Sequence, residues 1–432
     1  MARAGIWLTL DPASVDASAV AWVLAASALV LFMTPGVAFF YGGMVRSRHV
    51  LGMLMQNLAA MALVSLTWVL VGFSLAFGGG SGVIGDLRFA GLRSMTAAVP
   101  GFAGSHALAV PPILFAAFQM MFAVITPALI TGATADRWRF ESFIAFVPLW
   151  LILVYAPIAH WVFSPVGWAA RWGALDFAGG TVVHANAGAA GLAMALVLGR
   201  RRGWPKTPMR AHNLPLTVIG AAILWFGWFG FNAGSALRAD SVAAFAFVNT
   251  NTAAAAALVS WSLFEWLRFG KPTTLGAASG AVSGLVAITP CAGYVTPLAS
   301  VGIGLLTGVV CAGAVTFKVW FLVDDALDVV GVHLVGGVLG TLALGLFATT
   351  SINSLGANGL FSGGGYGLLG RQLVTVVAVA AYSFVATYLL GRGLERFLGT
   401  RVTARQEAEG LDLALHGESG YELDGTVQDV RI

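Results

Sequence analysis

The amino-acid sequence predicts an all-α polytopic membrane protein with eleven transmembrane helices, arranged as two inverted five-helix repeats plus one extra helix. Of the 432 residues, 58% are hydrophobic and only 10% are charged, and the mean hydropathy is +0.85. Apolar runs of about 20 residues, long enough to cross the hydrocarbon core of a bilayer, recur along the chain. Two similar motifs in the middle and later parts of the chain indicate the repeat. Lipid is therefore the predicted solvent for most of the protein.

The apolar runs divide the chain into an extracellular N-terminal segment at 1–18, a transmembrane domain at 19–394 and a cytoplasmic tail at 395–432. The first segment lacks a basic start followed by an apolar run, so no cleavable signal peptide is predicted. Gly-rich segments at 78–110 and 351–370 are predicted to be loops. The predicted spans are 19–41, 51–77, 111–134, 142–163, 178–199, 214–236, 242–266, 274–290, 298–322, 331–350 and 371–394.

The distribution of Lys and Arg predicts the orientation, because basic residues are retained on the cytoplasmic side of a membrane. Seventeen of the 23 lie in the tail or in loops after odd-numbered spans, and the other six lie on the opposite side. We therefore expect a multi-pass protein of the cell inner (plasma) membrane with its N-terminus outside. The basic residues form short runs between apolar stretches, a pattern that does not indicate a nucleic-acid partner.

The internal repeat relates LDFAGGTVVHANAGAAG at 175–191 to DDALDVVGVHLVGGVLG at 324–340. An offset of 149 aligns Asp176 with Asp325 and His184 with His333. Chance similarity between two Gly-rich helices is the alternative, since membrane helices use small residues often. The offset contains five helices, an odd number, so the two units run in opposite directions through the bilayer. Inverted repeats place equivalent residues around a two-fold axis at the midplane, which predicts that the two histidines meet.

Ionisable residues inside membranes are costly and commonly mark a transport pathway. We expect His184 and His333 to line a lumen as a pair, although two separate core histidines bonded to carbonyl groups remain an alternative. Two neutral imidazoles can share one proton and present a donor and an acceptor. Asp176 and Asp325 each precede their histidine by eight residues. A helix cap is the favoured interpretation of both carboxylates, and direct attraction of a cation is the alternative.

Several segments together resemble the Amt/Mep/Rh ammonium transporters, in particular the bacterial Amt type, from about Ala21 to about Gly425. This resemblance implies a transporter of ammonium or ammonia in a lipid bilayer, and a homotrimer with one pore in each subunit. The tail resembles that of the family, which implies a PII-type signalling protein as a cytoplasmic partner, with a solvated tail as the alternative. The matching segments are PGVAFFYGG (35–43), AAFQMMFAVITPALITGA (116–133), PIAHWVF (157–163), LDFAGGTVVHANA (175–187), HNLP (212–215), GWFGFNAGS (227–235), AFVNT (246–250), ASGAVSGLVAITP (278–290) and VDDALDVVGVH (323–333).

The resemblance also implies a role for each matching side chain. Phe118, Phe163 and Ser235 would recruit ammonium outside, with support from Asp176. Phe122 and Phe231 would form the gate below this site, and His184 and His333 would follow in the pore. In PIAHWVF, Phe163 occupies the position at which the family pattern has Trp, and Trp161 lies two residues earlier. Because Trp offers the strongest cation–π face, Phe163 is expected to weaken this site.

Two other functions fit the same sequence: an ammonium sensor or receptor that signals through a partner, and a Rhesus-like gas channel. A sensor with its own effector domain would need more than the short tail. The sequence contains no phosphate loop, nucleophile elbow or metal-ligand spacing, so it predicts neither an enzyme nor a cofactor nor a metal site.

Overall fold

The computed structural model describes residues 15–421. Within that range it contains eleven apolar helices, ten of them long enough to cross a membrane and one shorter, and no β-strand. Each predicted span overlaps one helix. The helices are α1 (Ala17–Met44), α2 (Ser47–Phe77), α3 (Pro112–Thr134), α4 (Phe140–Val162), α5 (Gly180–Leu198), α6 (Leu214–Gly234), α7 (Ser241–Phe269), α8 (Thr274–Ile288), α9 (Pro297–Trp320), α10 (Val330–Phe347) and α11 (Gly367–Phe397).

Helix ends differ from the predicted ends by a few residues, because local features such as capping side chains and glycine turns end some helices where hydropathy does not. The Asp16 carboxylate accepts hydrogen bonds from the backbone N–H groups of Ser18 and Ala19, so α1 begins at Ala17. Helix α7 ends at Phe269 before Gly270, whose φ is +80°. The loop predicted at 351–370 lies at 348–366 instead, because α10 ends at Phe347 and α11 begins at Gly367.

The two halves of the chain are equivalent in local geometry. Helices α5 and α10 both open with a π-helical turn, Gly180–Ala185 and Val330–Leu334, and each turn contains a histidine. Helices α1 and α6, the first of each repeat, pack closely through glycine: a Cβ atom added at Gly220 would collide with the backbone of Phe40. Small residues allow such backbone approach in a bundle that lipid surrounds.

The loops after α1, α3 and α5 meet the loop after α9 in a buried ionic cluster. The Asp136 carboxylate lies 3.1 Å from Arg46 Nη2 and 3.6 Å from Arg201 Nη1. Arg201 Nη2 lies 2.8 Å from Asp324 Oδ1. Arg137 donates to the carbonyl oxygens of Gly199 (2.8 Å) and Asp324 (2.6 Å). We call the side of the bundle that carries this cluster the tail face, and the opposite side the cavity face.

The surrounding charges keep both carboxylates of the cluster ionised. Burial by itself would raise the pKa of Asp136, but His49, Arg201 and Arg46 lower it below its usual value. Burial likewise opposes ionisation of Asp324, and its hydrogen bonds and attraction to Arg201 lower the pKa overall. Carboxylates with lowered pKa values stabilise the fold above their unfolded pKa and lose that contribution as the pH falls through the folded pKa.

The chain after α11 packs against the tail face as far as Tyr421, the last residue that the structure describes. A short helix, α12 (Ala404–Glu409), places Glu407 where it accepts from Arg202 N at 2.6 Å and from Arg401 Nη2 at 2.8 Å. Asp412 Oδ1 then accepts from Gly52 N at 2.8 Å. This part of the tail is therefore docked, and residues 422–432 lie outside the described range.

Substitution of Asp324 by Asn is expected to destabilise the protein by about 3–5 kcal/mol, because it leaves the buried Arg201 guanidinium without its nearest countercharge. The measurement is thermal unfolding of the purified protein in detergent. Glu141→Gln is the control, since Glu141 and its partner Arg139 are exposed and such pairs contribute about 0–1 kcal/mol. Equal loss in the two variants would contradict the structural role of the cluster.

Candidate functional site

An open cavity of about 820 Å³ lies on the cavity face, between the ends of α3, α4 and α6 and the segment that precedes α5. Four of the predicted site residues contribute to its lining: Phe122, Phe163, Asp176 and Ser235. Two of these are aromatic rings and one is a hydroxyl group, which suits a small cation.

The aromatic residues of this region divide into those at the cavity and those behind it. Phe163 lies at the cavity, with its ring centroid 6.4 Å from that of Phe122. Trp161 instead donates its indole N–H to the Val83 carbonyl (2.8 Å) and packs on Tyr382. Trp161 is absent from the cavity lining, so the fold does not offer it as a substitute for a tryptophan at position 163.

Phe118 lies deeper than a residue in direct contact with a cavity ligand would. Its side chain is fully buried, it is absent from the cavity lining, and its ring packs 4.9 Å from Phe122. The predicted contact of Phe118 with ammonium therefore stays a prediction, and in the structure Phe118 supports the ring of Phe122. Neighbouring Gln119 and Phe115 line the cavity instead.

The Ser235 hydroxyl donates its only proton to the carbonyl oxygen of Phe231 at 2.8 Å. Toward a ligand in the cavity it can therefore act only as an acceptor. An acceptor suits an N–H donor such as ammonium.

Asp176 caps the N-terminus of α5. Its two oxygens accept from the backbone N–H groups of Gly179, Gly180 and Thr181, each at 2.8 Å, and of Val182 at 3.2 Å. Asp325 does the same for the start of α10, where it accepts from Val329 at 3.1 Å and Val330 at 2.7 Å. The cap interpretation of both carboxylates is confirmed. Each cap fixes the first turn of a helix that carries a histidine.

Below the cavity, two phenylalanine rings separate it from the histidines. The centroids of Phe122 and Phe231 are 4.4 Å apart, and both side chains are buried. The Phe231 ring also stacks on His184, with centroids 5.8 Å apart. A route from the cavity into the bundle therefore meets the two phenylalanines first and His184 next.

The two histidines contact each other, as the inverted repeat predicts. His184 Nδ1 and His333 Nδ1 are 3.3 Å apart, and the two rings lie nearly parallel, with planes at 19° and centroids 5.4 Å apart. Both side chains are buried, at 1% and 3% exposure. The alternative of two separate core histidines is therefore wrong. His184 Nε2 is buried and has no hydrogen-bond partner among residues 15–421.

The sequence reasoning missed two residues that hold the histidine pair. The Tyr41 hydroxyl lies 3.4 Å from His333 Nε2 and 3.4 Å from the Leu129 carbonyl oxygen. The indole of Trp228 stacks on His184, with centroids 5.3 Å apart and planes at 18°. Both belong to segments that carry the resemblance, PGVAFFYGG and GWFGFNAGS. Motif membership is a usable signal for them, whereas spacing alone does not place either ring beside a histidine.

The comparisons with known proteins agree with this geometry. The model of the Ammonium Transporter Family matches residues 21–421. This chain belongs to that family. An ammonium transporter of Bacillus subtilis (strain 168) is 51% identical over 397 residues, which cover 91% of this chain and 96% of the relative.

Solved structures of the family share the fold. The crystal structure of Candida albicans Mep2 superposes with a TM-score of 0.85 at 36% identity, covering 91% of this chain and 88% of the Mep2 chain. A structure described as a Sensor Amt Protein superposes with a TM-score of 0.84 at 32% identity, covering 92% of this chain and 98% of that chain. The eleven-helix architecture is thus that of the Amt and Mep proteins.

Substitution of Asp176 by Asn is expected to destabilise the protein by roughly 2–4 kcal/mol. Four backbone N–H groups donate to the two carboxylate oxygens of Asp176, and the amide of Asn has only one acceptor oxygen for them. Thermal unfolding in detergent measures the loss. Asp240→Asn is the matched control, since Asp240 caps α7 through a single N–H of Ala243 and Asn is an equally good cap. Unchanged unfolding of the Asp176 variant would argue against a capping role.

Proposed function

We propose that this protein transports ammonium across the membrane by capturing the cation in the outer cavity, removing its proton near the phenylalanine gate, and conducting ammonia past the histidine pair. The contact between His184 and His333 directly behind the gate is the observation that carries the proposal. Membership of the ammonium transporter family supports the substrate. The cavity rings of Phe163 and Phe122 and the acceptor oxygen of Ser235 would hold the ammonium before it loses its proton.

The free-energy cost of burying intact ammonium, compared with the cost of removing its proton, favours deprotonation. Burial of an intact ammonium ion in apolar surroundings costs on the order of tens of kcal/mol before compensation. Removal of a proton from an amine with a pKa near ~10 costs about 4 kcal/mol at pH 7, at about 1.36 kcal/mol per unit. Potassium has no proton to lose. The same pore would therefore reject potassium without a cage of cation ligands.

The hydrogen-bond chain through the histidines supports two arrangements of its protons. When Tyr41 donates to the Leu129 carbonyl, His333 Nε2 is protonated, His184 Nδ1 donates to His333 Nδ1, and His184 Nε2 is left as an acceptor. When Tyr41 donates to His333 Nε2, every bond in the chain reverses and His184 Nε2 becomes a donor. The unpartnered His184 Nε2 could thus either accept from ammonia or donate to it, and the chain could relay a proton.

The assembly and placement of the protein belong to the same proposal. We infer a homotrimer in the cell inner membrane, with the cavity face outside and the tail face in the cytoplasm. The excess of Lys and Arg on the tail face supports this orientation. The docked tail offers a cytoplasmic surface that a PII-type signalling protein could contact.

A sensor role is the second candidate, and the similarity to the structure described as a Sensor Amt Protein favours it. A sensor would bind ammonium at the outer cavity and change the docking of the tail without appreciable flux. Ammonium uptake by proteoliposomes distinguishes the two functions. Ammonia that enters takes up a proton inside, so only a transporter makes the vesicle lumen more alkaline, or charges it if the proton is relayed, in proportion to protein.

Replacement of either pore histidine by Ala is expected to reduce ammonium flux at least about tenfold or to admit potassium, because the relay and the narrow dry passage are lost. Ammonium-evoked and potassium-evoked currents across proteoliposomes on a solid support measure both effects. His416→Ala, in the tail, is the control. Unchanged flux and unchanged potassium exclusion in H184A and H333A would refute the proposed role of the pair.

Phe163→Trp is expected to lower the half-saturating ammonium concentration by up to about fivefold, because Trp offers a stronger cation–π face than Phe and a whole contact of this kind at an open site is worth at most about 1 kcal/mol. Concentration dependence of the ammonium-evoked current gives this value. Phe361→Trp, in an exposed loop, is the control for an added indole. If the half-saturating ammonium concentration of the Phe163→Trp variant equals that of the unaltered protein, Phe163 does not contact the captured cation.

A further inference from the structure

One buried histidine lies outside the pore and contacts two carbonyl groups. His160 is in the last turn of α4, and its side chain is fully buried. Its Nδ1 lies 2.8 Å from the Ala76 carbonyl oxygen, and its Nε2 lies 2.7 Å from the Ser81 carbonyl oxygen. Both distances are typical of well-formed hydrogen bonds.

Carbonyl oxygens only accept hydrogen bonds, whereas a neutral imidazole has one N–H donor and one bare nitrogen. In either neutral tautomer, one ring nitrogen would direct its lone pair at a carbonyl oxygen less than 3 Å away. We infer that His160 is held as a doubly protonated imidazolium that positions the cavity-face end of α4, and with it Phe163, against the loop after α2. Neither ring nitrogen then faces an unmatched acceptor.

The helix ends around His160 favour a positive charge. His160 lies at the C-terminus of α4, and Ala76 belongs to the last turn of α2, which ends at Phe77. The C-terminal end of a helix carries a partial negative charge, which stabilises a histidinium there. Two such ends meet at this ring. Charge-assisted hydrogen bonds to the two carbonyls offset a further part of the desolvation cost.

No carboxylate lies within ion-pair distance of His160 in the part of the chain that the structure describes. Asp86 and Arg88, on the neighbouring loop, pair with each other at 2.7 Å. None of the titratable groups around this end of α4 makes a hydrogen bond to the His160 ring. These groups are Asp86, Arg88, Tyr155, Arg171, Asp176, His184 and Tyr382. The carbonyl dipoles are therefore what stabilise the cation.

Trp161 of α4 and Trp168 of the segment after α4 hold the same loop at two further points. Trp161 donates its indole N–H to the Val83 carbonyl at 2.8 Å, and Trp168 N donates to the Gly82 carbonyl at 2.9 Å. Phe163 follows His160 by three residues and lines the outer cavity. A proton lost from His160 would free one carbonyl of the loop and loosen the helix end that presents Phe163. His160 is thus a positioning residue and does not touch the transported ion.

Solid-state NMR of the full chain in lipid bilayers, with ¹⁵N-labelled histidine, tests the protonation state directly. At pH 7.5, both ring nitrogens of His160 are expected to resonate as N–H groups. The His160→Gln variant identifies the signals by their disappearance, and correlation from Ala159 to His160 identifies them in the unaltered protein if that variant does not fold. A bare ring nitrogen on His160 at pH 7.5 would overturn the inference.

Transport measurements test the positioning role, which rests on the proposed function. His160→Gln is expected to raise the half-saturating ammonium concentration by about three- to tenfold with little change in maximal current, because the cavity changes and the gate does not. Tyr366→Phe is the control, since Tyr366 is an exposed residue of the same face and is absent from the cavity lining. A three- to tenfold fall in maximal current with an unchanged half-saturating ammonium concentration would overturn the positioning role. Absence of any protein-dependent ammonium uptake by the unaltered protein would refute the proposed function and leave the NMR result standing.

Discussion

The histidine pair depends on two carboxylates that cap helices inside the protein. Helices α5 and α10 both begin within the packed domain, where water cannot satisfy their first N–H groups. Asp176 and Asp325 supply the missing acceptors. Because each carboxylate fixes the first turn of its helix, and each first turn is the π-helical segment that holds a histidine, the caps set the two ring positions relative to each other.

The buried histidines show how acceptors decide the charge of a ring in a dry interior. His184 and His333 face each other and the rings of Trp228 and Phe231, with one shared contact between ring nitrogens. One proton between them satisfies that contact, and a cation would be poorly solvated there. His160 instead faces two carbonyl oxygens at the ends of two helices. In the proposed mechanism, the same residue type would therefore serve as a neutral relay behind the gate and, by our inference, as a fixed positive charge beside the cavity.

The cavity lies between the histidine pair and the end of α4 that His160 holds. Phe163 lies beside Phe122 at the cavity, and Trp161 is withdrawn into hydrogen bonding with the loop that His160 also holds. A site built from phenylalanine and a hydroxyl acceptor attracts a cation more weakly than one with an indole face. On the opposite face, the cluster around Asp136 and Asp324 connects the loops with charges that are buried but paired.

The sequence by itself determined the eleven helices, the inverted repeat, the meeting of the two histidines and the capping carboxylates. These features follow from hydropathy, from an offset between two motifs and from the unmet N–H groups of a helix start, all of which are local or periodic properties. Only the tertiary structure decided that Phe118 lies behind Phe122, that Trp161 leaves the cavity, and that Tyr41 and Trp228 hold the histidine rings. Tyr41 and His333 are 292 residues apart in the chain, as His160 and Ala76 are 84 apart. Such contacts depend on how helices pack around one another, and apolar patterns do not encode which side chain of a uniformly apolar helix faces which neighbour.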